Sequence, residues 1–300
     1  MNKLFIPIVI LLFGLLSGCG FGSDYEIKMA KPLYFNSEKD MPLEINVTEA
    51  GKAVKGLKVT AKLTMVTMDH GTNRVNLVEG KAGTYAGKVK LGMGGKYEIA
   101  FSLEKDGQKI EKVIDYVVKK PAGIASINGQ WIKSEELAFT AFLNKLQLAM
   151  SRESAQKTYR GKQLDDELAY INAQEKMIDN KNQLLTQIIR LRSMSILGTE
   201  KGHHVTKEEI AAKMNLLHQQ YDPSTAANKL IQQYGKAHFW QNEKKNVPMM
   251  LLSDKVANDL IDKTKAENPH TSLQEIRFLA QQKFEDLLVA QVNTLHISIF

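Results

Sequence analysis

The sequence predicts two domains of different class, an all-β domain followed by an all-α domain, the first an immunoglobulin-like sandwich. Two observations predict it. From about Leu33 to Val118 apolar residues alternate with polar ones, and turn residues recur at the spacing of short antiparallel strands. Beyond Lys119-Lys120-Pro121-Ala122-Gly123 that alternation stops and the apolar residues recur at helical spacing. The 300 residues are 43% hydrophobic and 24% charged, a balance that excludes disordered, collagen-like and polytopic membrane classes.

The N-terminus carries the first functional signal. Lys3 is followed by residues 4–18, which hold no charge. Such a segment is short for a membrane span and suits a signal peptide, so residues 1–18 are expected to direct export. Leu16-Ser17-Gly18-Cys19 closes the segment and resembles the bacterial lipobox. That resemblance implies cleavage before Cys19 and a covalent diacylglycerol on its thiol, with further acylation such as palmitate. The expected location is the extracytoplasmic face of a cell membrane, with the lipid bilayer as a partner through the acylated N-terminus. Two or three acyl chains hold a domain on a bilayer, since each buried methylene contributes about 0.8 kcal/mol. Residues 19–32 then read as a lipidated tether, with Gly20 to Asp24 its flexible part.

Residues 33–120 supply the sandwich. Leu43 to Val47 reads as a strand ended by Glu49-Ala50-Gly51-Lys52, and Leu57, Val59, Ala61, Leu63 and Met65 mark one face of the next. Further strands are expected over about 74–78, 84–91, 96–104 and 109–118. Gly94-Gly95 and Asp106-Gly107 are the expected tight hairpins, because such turns need positive φ.

Residues 121–300 are written for helix after a small hairpin at Asn128-Gly129. Ser134 opens the first helix, with Glu135 and Glu136 placed where the helix dipole favours negative charge. One helical run is expected over about 163–197, ended by Gly198 or Gly202. Thr206-Lys207-Glu208-Glu209 is a capping box that starts a helix at Lys207. Asp222-Pro223 reads as a cap and first helical position, followed by helices at about 226–234 and 237–265. Ser272-Leu273-Gln274-Glu275 starts a final helix with its apolar stripe through Leu273, Ile276, Ala280, Phe284, Leu287, Val292 and Leu295. Ile297 and Ile299 then alternate with polar residues and could pair, as a last strand, with the Asn128 hairpin.

Two family resemblances follow from particular motifs. Met65-Val66-Thr67-Met68-Asp69-His70-Gly71-Thr72-Asn73, Gly83-Thr84-Tyr85-Ala86-Gly87 and Leu91-Gly92-Met93-Gly94-Gly95-Lys96-Tyr97 resemble the YtkA-like and FixH-like family of exported sandwich domains. Ala125-Ser126-Ile127-Asn128-Gly129-Gln130-Trp131-Ile132 and Gly202-His203-His204-Val205-Thr206-Lys207-Glu208-Glu209-Ile210 resemble the N-terminal helical domain of the SurA and PrsA group of extracytoplasmic chaperones. That second resemblance implies a cradle for unfolded or secreted protein clients. Foldases of the group also carry an inserted parvulin domain, and residues 222–267 are too few for one. Prolyl isomerase activity is therefore not carried over.

The candidate site residues divide by chemistry. Met65, Met68, His70 and Met93 offer soft thioether sulfur and a borderline imidazole, a set that prefers Cu(I) to harder ions. Met68 and His70 would share one face of an extended strand. The alternative is that Met65 and Met93 fill the core and His70 caps a turn. In the helical half Trp131, Phe239, Trp240, Met249 and Met250 are the client-binding candidates, with Met177, Met194 and Met214 beside them, because thioethers and large aromatics accommodate varied partners; the alternative for each one individually is burial in the core, with only a few lining a groove. Adjacent His203 and His204 diverge and read as a solvated helix-end pair.

Catalytic signals are missing from the sequence. It has no Gly-x-Ser-x-Gly elbow, no His-Glu-x-x-His and no phosphate loop, so an enzyme is not expected. One cysteine excludes an intramolecular disulfide and a cysteine zinc site. The formal charge of +7 is spread along the chain, which fits an anionic surface nearby better than a nucleic-acid site. The leading expectation is a membrane-anchored lipoprotein with chaperone-like binding and no resident cofactor. The alternative is a Cu(I)-binding metallochaperone-type lipoprotein acting through the Met/His corner.

Overall fold

The computed structural model describes residues 24–67, 71–81 and 83–300, and the chain divides into two compact units between Pro121 and Ala122. The first is an antiparallel β-sandwich and the second is helical. The signal peptide at 1–18, Cys19, Met68 and His70 lie outside the described residues.

The sandwich contains β1 (Tyr25–Met29), β2 (Met41–Glu49), β3 (Lys52–Ala53), β4 (Lys58–Met65), β5 (Thr72–Glu79), β6 (Thr84–Val89), β7 (Gly95–Lys105) and β8 (Gln108–Val118). Their order is β1-β2-β6-β5-β4-β7-β8, with β3 paired onto β2. β5 joins the two layers, since Thr72 to Leu77 pair with β4 while Val78 and Glu79 pair with β6.

Alternation decides what is buried. On β4 and β7 the cross-strand pairs Val59↔Leu103, Ala61↔Phe101, Leu63↔Ile99 and Met65↔Tyr97 all point into the core, small opposite large at Ala61 and Phe101. Leu43, Ile45 and Val47 of β2 face them from the other layer. Asp106 and Gly107 both have positive φ and turn β7 into β8, as the sequence predicts. Ala50 and Gly51 do the same between β2 and β3.

Two expectations change here. Tyr25–Met29 is a strand paired with β2 and not part of the tether drawn over 19–32, and its Tyr25 is buried. Gly94-Gly95 makes no hairpin. Gly95 opens β7, where a Cβ would lie 2.4 Å from the Met65 methyl, so the glycine makes room for that side chain.

The helical unit opens with β9 (Ala125–Ile127) and β10 (Gln130–Ile132), which turn at Asn128-Gly129, both with positive φ. Seven helices follow among the described residues: α1 (Ser134–Thr158), α2 (Lys162–Glu175), α3 (Lys181–Glu200), α4 (Lys207–Tyr221), α5 (Thr225–Tyr234), α6 (Lys236–Glu267) and α7 (Leu273–Thr294). β11 (Ile297–Ile299) pairs with β9 as expected, and His296 N–H donates to the Asn128 side chain at 2.9 Å. The last residues of the unit thus lock onto its first.

Several helix ends differ from the sequence reading. The run expected over 163–197 is two helices, because Asn180 accepts hydrogen bonds from Asn182 and Gln183 N–H and starts α3 afresh. Gly198 does not end α3; it lies where a Cβ would come 2.9 Å from the Leu252 carbonyl oxygen, at the close approach of α3 to α6. Gly202, with positive φ, follows the end of that helix. Ser134 does open α1 as the sequence predicts, and the N–H of the preceding Lys133 donates to the Glu136 carboxylate at 3.1 Å. Asp222 closes α4, and Ser224 caps α5 by accepting from Ala227 N–H at 3.1 Å. The Thr206 capping box is complete, with bonds of 3.2 and 2.8 Å. In α7 the buried stripe runs through Ile276, Ala280 and Leu288, while Leu273 is exposed.

Candidate functional site

The helical unit holds a cavity of about 580 Å³ between the start of α1, the middle of α3 and the stretch from Tyr234 to Met249. Phe139, Ile188, Leu191, Tyr234 and Met249 give it an apolar lining. Lys133, Glu135, Glu136, Arg192, His238, Asn242, Lys245 and Asn246 bring polar groups to the same space.

Local bonding fixes these walls. Glu136 ties to Arg192, whose other guanidinium nitrogen donates to the Trp131 carbonyl at 3.1 Å. One arginine thus pins α3 to both the hairpin and the first turn of α1. On the opposite wall Asn242 donates to the Tyr234 hydroxyl at 3.2 Å and lies 3.2 Å from His238 Nε2, while Lys245 reaches the Asn242 amide oxygen at 3.5 Å. Tyr234 stacks on Phe142 at 4.3 Å and on His238 at 5.3 Å. A wall of side chains held this way keeps its shape without a ligand.

The client-binding candidates are only partly drawn together. Met249 lines the cavity. Phe239 is fully buried among Phe139, Phe142, Tyr221 and Trp240, so it belongs to the core and presents no surface to a client. Trp240 stacks on His218 at 3.6 Å, with its indole N–H buried. Trp131 packs against Phe300 at 5.2 Å. Met250 is half-buried on α6 and does not line the cavity. Met194 is core, Met214 is half-buried, and Met177 is exposed beside a smaller, mainly polar pocket of about 200 Å³. Sequence reasoning missed Phe139, Ile188 and Leu191, because each sits on a helix face that reads as ordinary core.

At one end of the sandwich, Met65 is buried at the end of β4 against Gly95. Met93 is half-buried, and its carbonyl accepts from the hydroxyl of Tyr97, the cross-strand partner of Met65, at 2.8 Å. These two methionines share the end from which the β4–β5 connection leaves. The packing of Met65 is that of a core residue.

Two further groups carry electrostatic interest. Glu243 on α6 is buried, and burial pushes its carboxyl up to about 7; the Tyr221 hydroxyl donates to it at 3.4 Å. The same burial pushes the Tyr221 phenol up, aided by Glu243. Glu153 of α1 is the reverse case. It accepts from Lys157 at 2.7 Å, from the Ser224 hydroxyl at 2.6 Å and from Ala226 N–H at 3.0 Å, which pulls it down to about 2. One helix thereby caps another. His203 is also held, with Nε2 2.7 Å from Asp259 Oδ2, so it is not the free solvated residue of the sequence reading.

Residues 22–102 match the family model described as YtkA-like. Within that stretch, Gly83 and Tyr85 have structural roles. Gly83, with positive φ, leaves no room for a Cβ against Ala53, and Tyr85 is fully buried, its hydroxyl donating to the Val54 carbonyl at 2.9 Å and accepting from Leu57 N–H at 3.1 Å. Among solved structures, a DUF4426 family protein from Pseudomonas aeruginosa PAO1 is matched at 14% identity over 32% of this chain and 88% of that one, with a TM-score of 0.24. No curated protein matches the chain. No described helix is long and apolar enough to cross a membrane.

Proposed function

We propose that this protein is a membrane-anchored extracytoplasmic lipoprotein whose helical unit holds unfolded or secreted chains, without isomerase activity and without chemistry. The observation that carries this reading is the 580 Å³ cavity, which has an apolar lining and a hydrogen-bonded polar wall. Apolar side chains of a non-native chain would gain by leaving water for that lining, and the polar wall can pair with the accompanying backbone. The lipobox resemblance at Cys19 and the SurA-like motifs support the location and the client class. Residues 222–267 form the short turn after α4, then α5 and α6, which leaves no stretch for a parvulin domain there.

The test is suppression of aggregation of a chemically denatured client by the chain from Gly20 onward. Stoichiometric suppression by the parent, lost in Leu191→Lys and Met249→Glu variants that keep the parent circular dichroism, is the expected result. A folded parent that leaves aggregation unchanged overturns the reading. A second reading, Cu(I) capture, is favoured by the common position of Met65 and Met93 at the end that carries the β4–β5 connection. It requires stoichiometric Cu(I) uptake that disappears in Met68→Leu combined with His70→Ala.

A further inference from the structure

The two walls of the cavity in the helical unit differ in charge. On the wall made by α1 and α3, Arg192 spends its guanidinium on Glu136 and on the Trp131 carbonyl, and the remaining charged groups, Lys133 and Glu135, are of opposite sign. That wall is balanced. On the α6 wall His238, Asn242, Lys245 and Met249 recur at steps of three and four residues, which sets them on one face of the helix. The same stretch turns Phe239, Glu243 and Val247 into the core. From Thr225 to Ser253 the chain holds Lys229, Lys236, Lys244 and Lys245, all exposed and none in an ion pair among the described residues, while its single carboxylate, Glu243, is buried. Of these lysines Lys245 lines the cavity, and it donates to the Asn242 amide oxygen at 3.5 Å. Asn242 in turn donates to the Tyr234 hydroxyl at 3.2 Å, and the proton of that hydroxyl has no acceptor among the described residues. The donors thus run one way and end on an O–H at the cavity, each bond polarising the next.

We infer that the segment held in this cavity is an acidic apolar peptide, its apolar side chains against Phe139, Leu191 and Met249 and a neighbouring aspartate or glutamate carboxylate received by Lys245 and the Tyr234 hydroxyl. The inference rests on the client-binding reading of the cavity. A carboxylate brought against an apolar lining loses water and needs donors in exchange, and a charged donor makes the stronger hydrogen bond. Tyr234 is held by its stack on Phe142, so its hydroxyl is in position before a client arrives. A lysine or arginine at the same place meets the Lys245 ammonium and no exposed carboxylate on that wall, which costs binding where the acid gains it. Lys133 and Glu135 on the opposite wall offer both signs and so select neither.

The probes are three fluorescent peptides of about ten residues that share a Leu-Phe-Leu core and carry glutamate, glutamine or lysine beside it. Each is titrated by anisotropy against the chain from Gly20 to Phe300, which retains every described residue. The glutamate peptide is expected to bind about fivefold tighter than the glutamine peptide, the upper end for an ion pair that water reaches, with the lysine peptide weakest and the gaps narrowing as salt rises. Lys245→Gln is expected to bring the glutamate and glutamine peptides within about twofold of each other. Tyr234→Phe, which keeps the ring stack and removes one neutral donor, is expected to close part of the same gap. Lys229→Gln, on the same cationic stretch but outside the cavity, is expected to leave the ranking as in the parent. A loss of ranking there equal to that in Lys245→Gln overturns the assignment to the cavity. Equal affinity for all three peptides, or a preference for lysine, overturns the acid preference while the client reading stands. Binding of none of them by a chain with the circular dichroism of the folded protein overturns both.

Discussion

Among the described residues the buried polar side chains other than tyrosine, namely Ser126, Ser193, Ser195, Glu243, Thr264 and Gln291, all belong to the helical unit, and the sandwich buries none. The buried atoms without a partner, Ser193 Oγ, Trp240 Nε1 and Thr264 Oγ1, fall in the helical unit too. Of the buried tyrosines of the sandwich, Tyr85 is satisfied twice over, and the Tyr97 hydroxyl donates to the Met93 carbonyl. Unpaired buried polar atoms and a buried carboxyl each cost stability that an apolar replacement would not. The difference teaches that the sandwich is built to hold one shape, whereas the helical unit tolerates polar cost in its core beside an open cavity. Residues that break local rules tend to sit where function needs them.

The comparison can be broken most directly at Tyr85. Tyr85→Ala removes a fully buried ring and leaves the Val54 carbonyl and Leu57 N–H unpaired, so it should cost the sandwich about 3–5 kcal/mol. Urea unfolding followed by a probe in each unit reads this; an unchanged sandwich midpoint would deny the phenol its role. In the helical unit the sign reverses. The Glu243 carboxyl is raised from 4.5 to about 7, so its contribution is fully present below pH 4.5 and is lost as pH rises through about 7. Glu243→Gln, neutral throughout, should therefore stabilise that unit by about 2–3 kcal/mol at pH 8 and by almost nothing at pH 4. A gain that is the same at both pH values would show that ionisation is not its source.

Smaller effects sharpen the picture. Gly198→Ala forces a methyl to within 2.9 Å of the Leu252 carbonyl oxygen and should cost about 1–3 kcal/mol, measured as a lower thermal midpoint of the helical unit. Glu153→Gln should act most locally. Its carboxylate is depressed from 4.5 to about 2, so the stability it lends is present above pH 4.5 and lost as pH falls through about 2. In the variant, amide exchange at the start of α5 should quicken at neutral pH, and the protection of α5 should no longer fall between pH 4.5 and 2. Together Glu153 and Glu243 give the helical unit one carboxylate that weakens it in acid and one that weakens it toward neutrality.

Much of the fold is legible from local pattern. The period-two alternation from Leu57 to Met65 and the Asp106-Gly107 and Asn128-Gly129 turns are set by side chains next to each other in the chain, and the structure keeps them. Thr206 to Glu209 is likewise a local bond pattern. The strand Tyr25–Met29 was not legible, because its partner lies twenty residues away in β2 and a short strand next to a glycine-rich stretch looks like linker. The candidate site was less legible still. Met249 and Phe239 are equal candidates in the sequence, yet one lines the cavity and the other fills the core, since sequence alone cannot separate an aromatic or thioether that lines a cavity from one that is buried.

By itself the sequence determined the two classes of secondary structure, the boundary near Pro121 and most turns, because each depends on periodicity or on neighbours within a few positions. Tertiary structure alone decided which apolar residues face the cavity, that Glu243 is buried and that Glu153 caps a helix more than seventy residues away. Those outcomes depend on which elements pack together, and packing is a sum over contacts distant in the chain that no local spacing encodes.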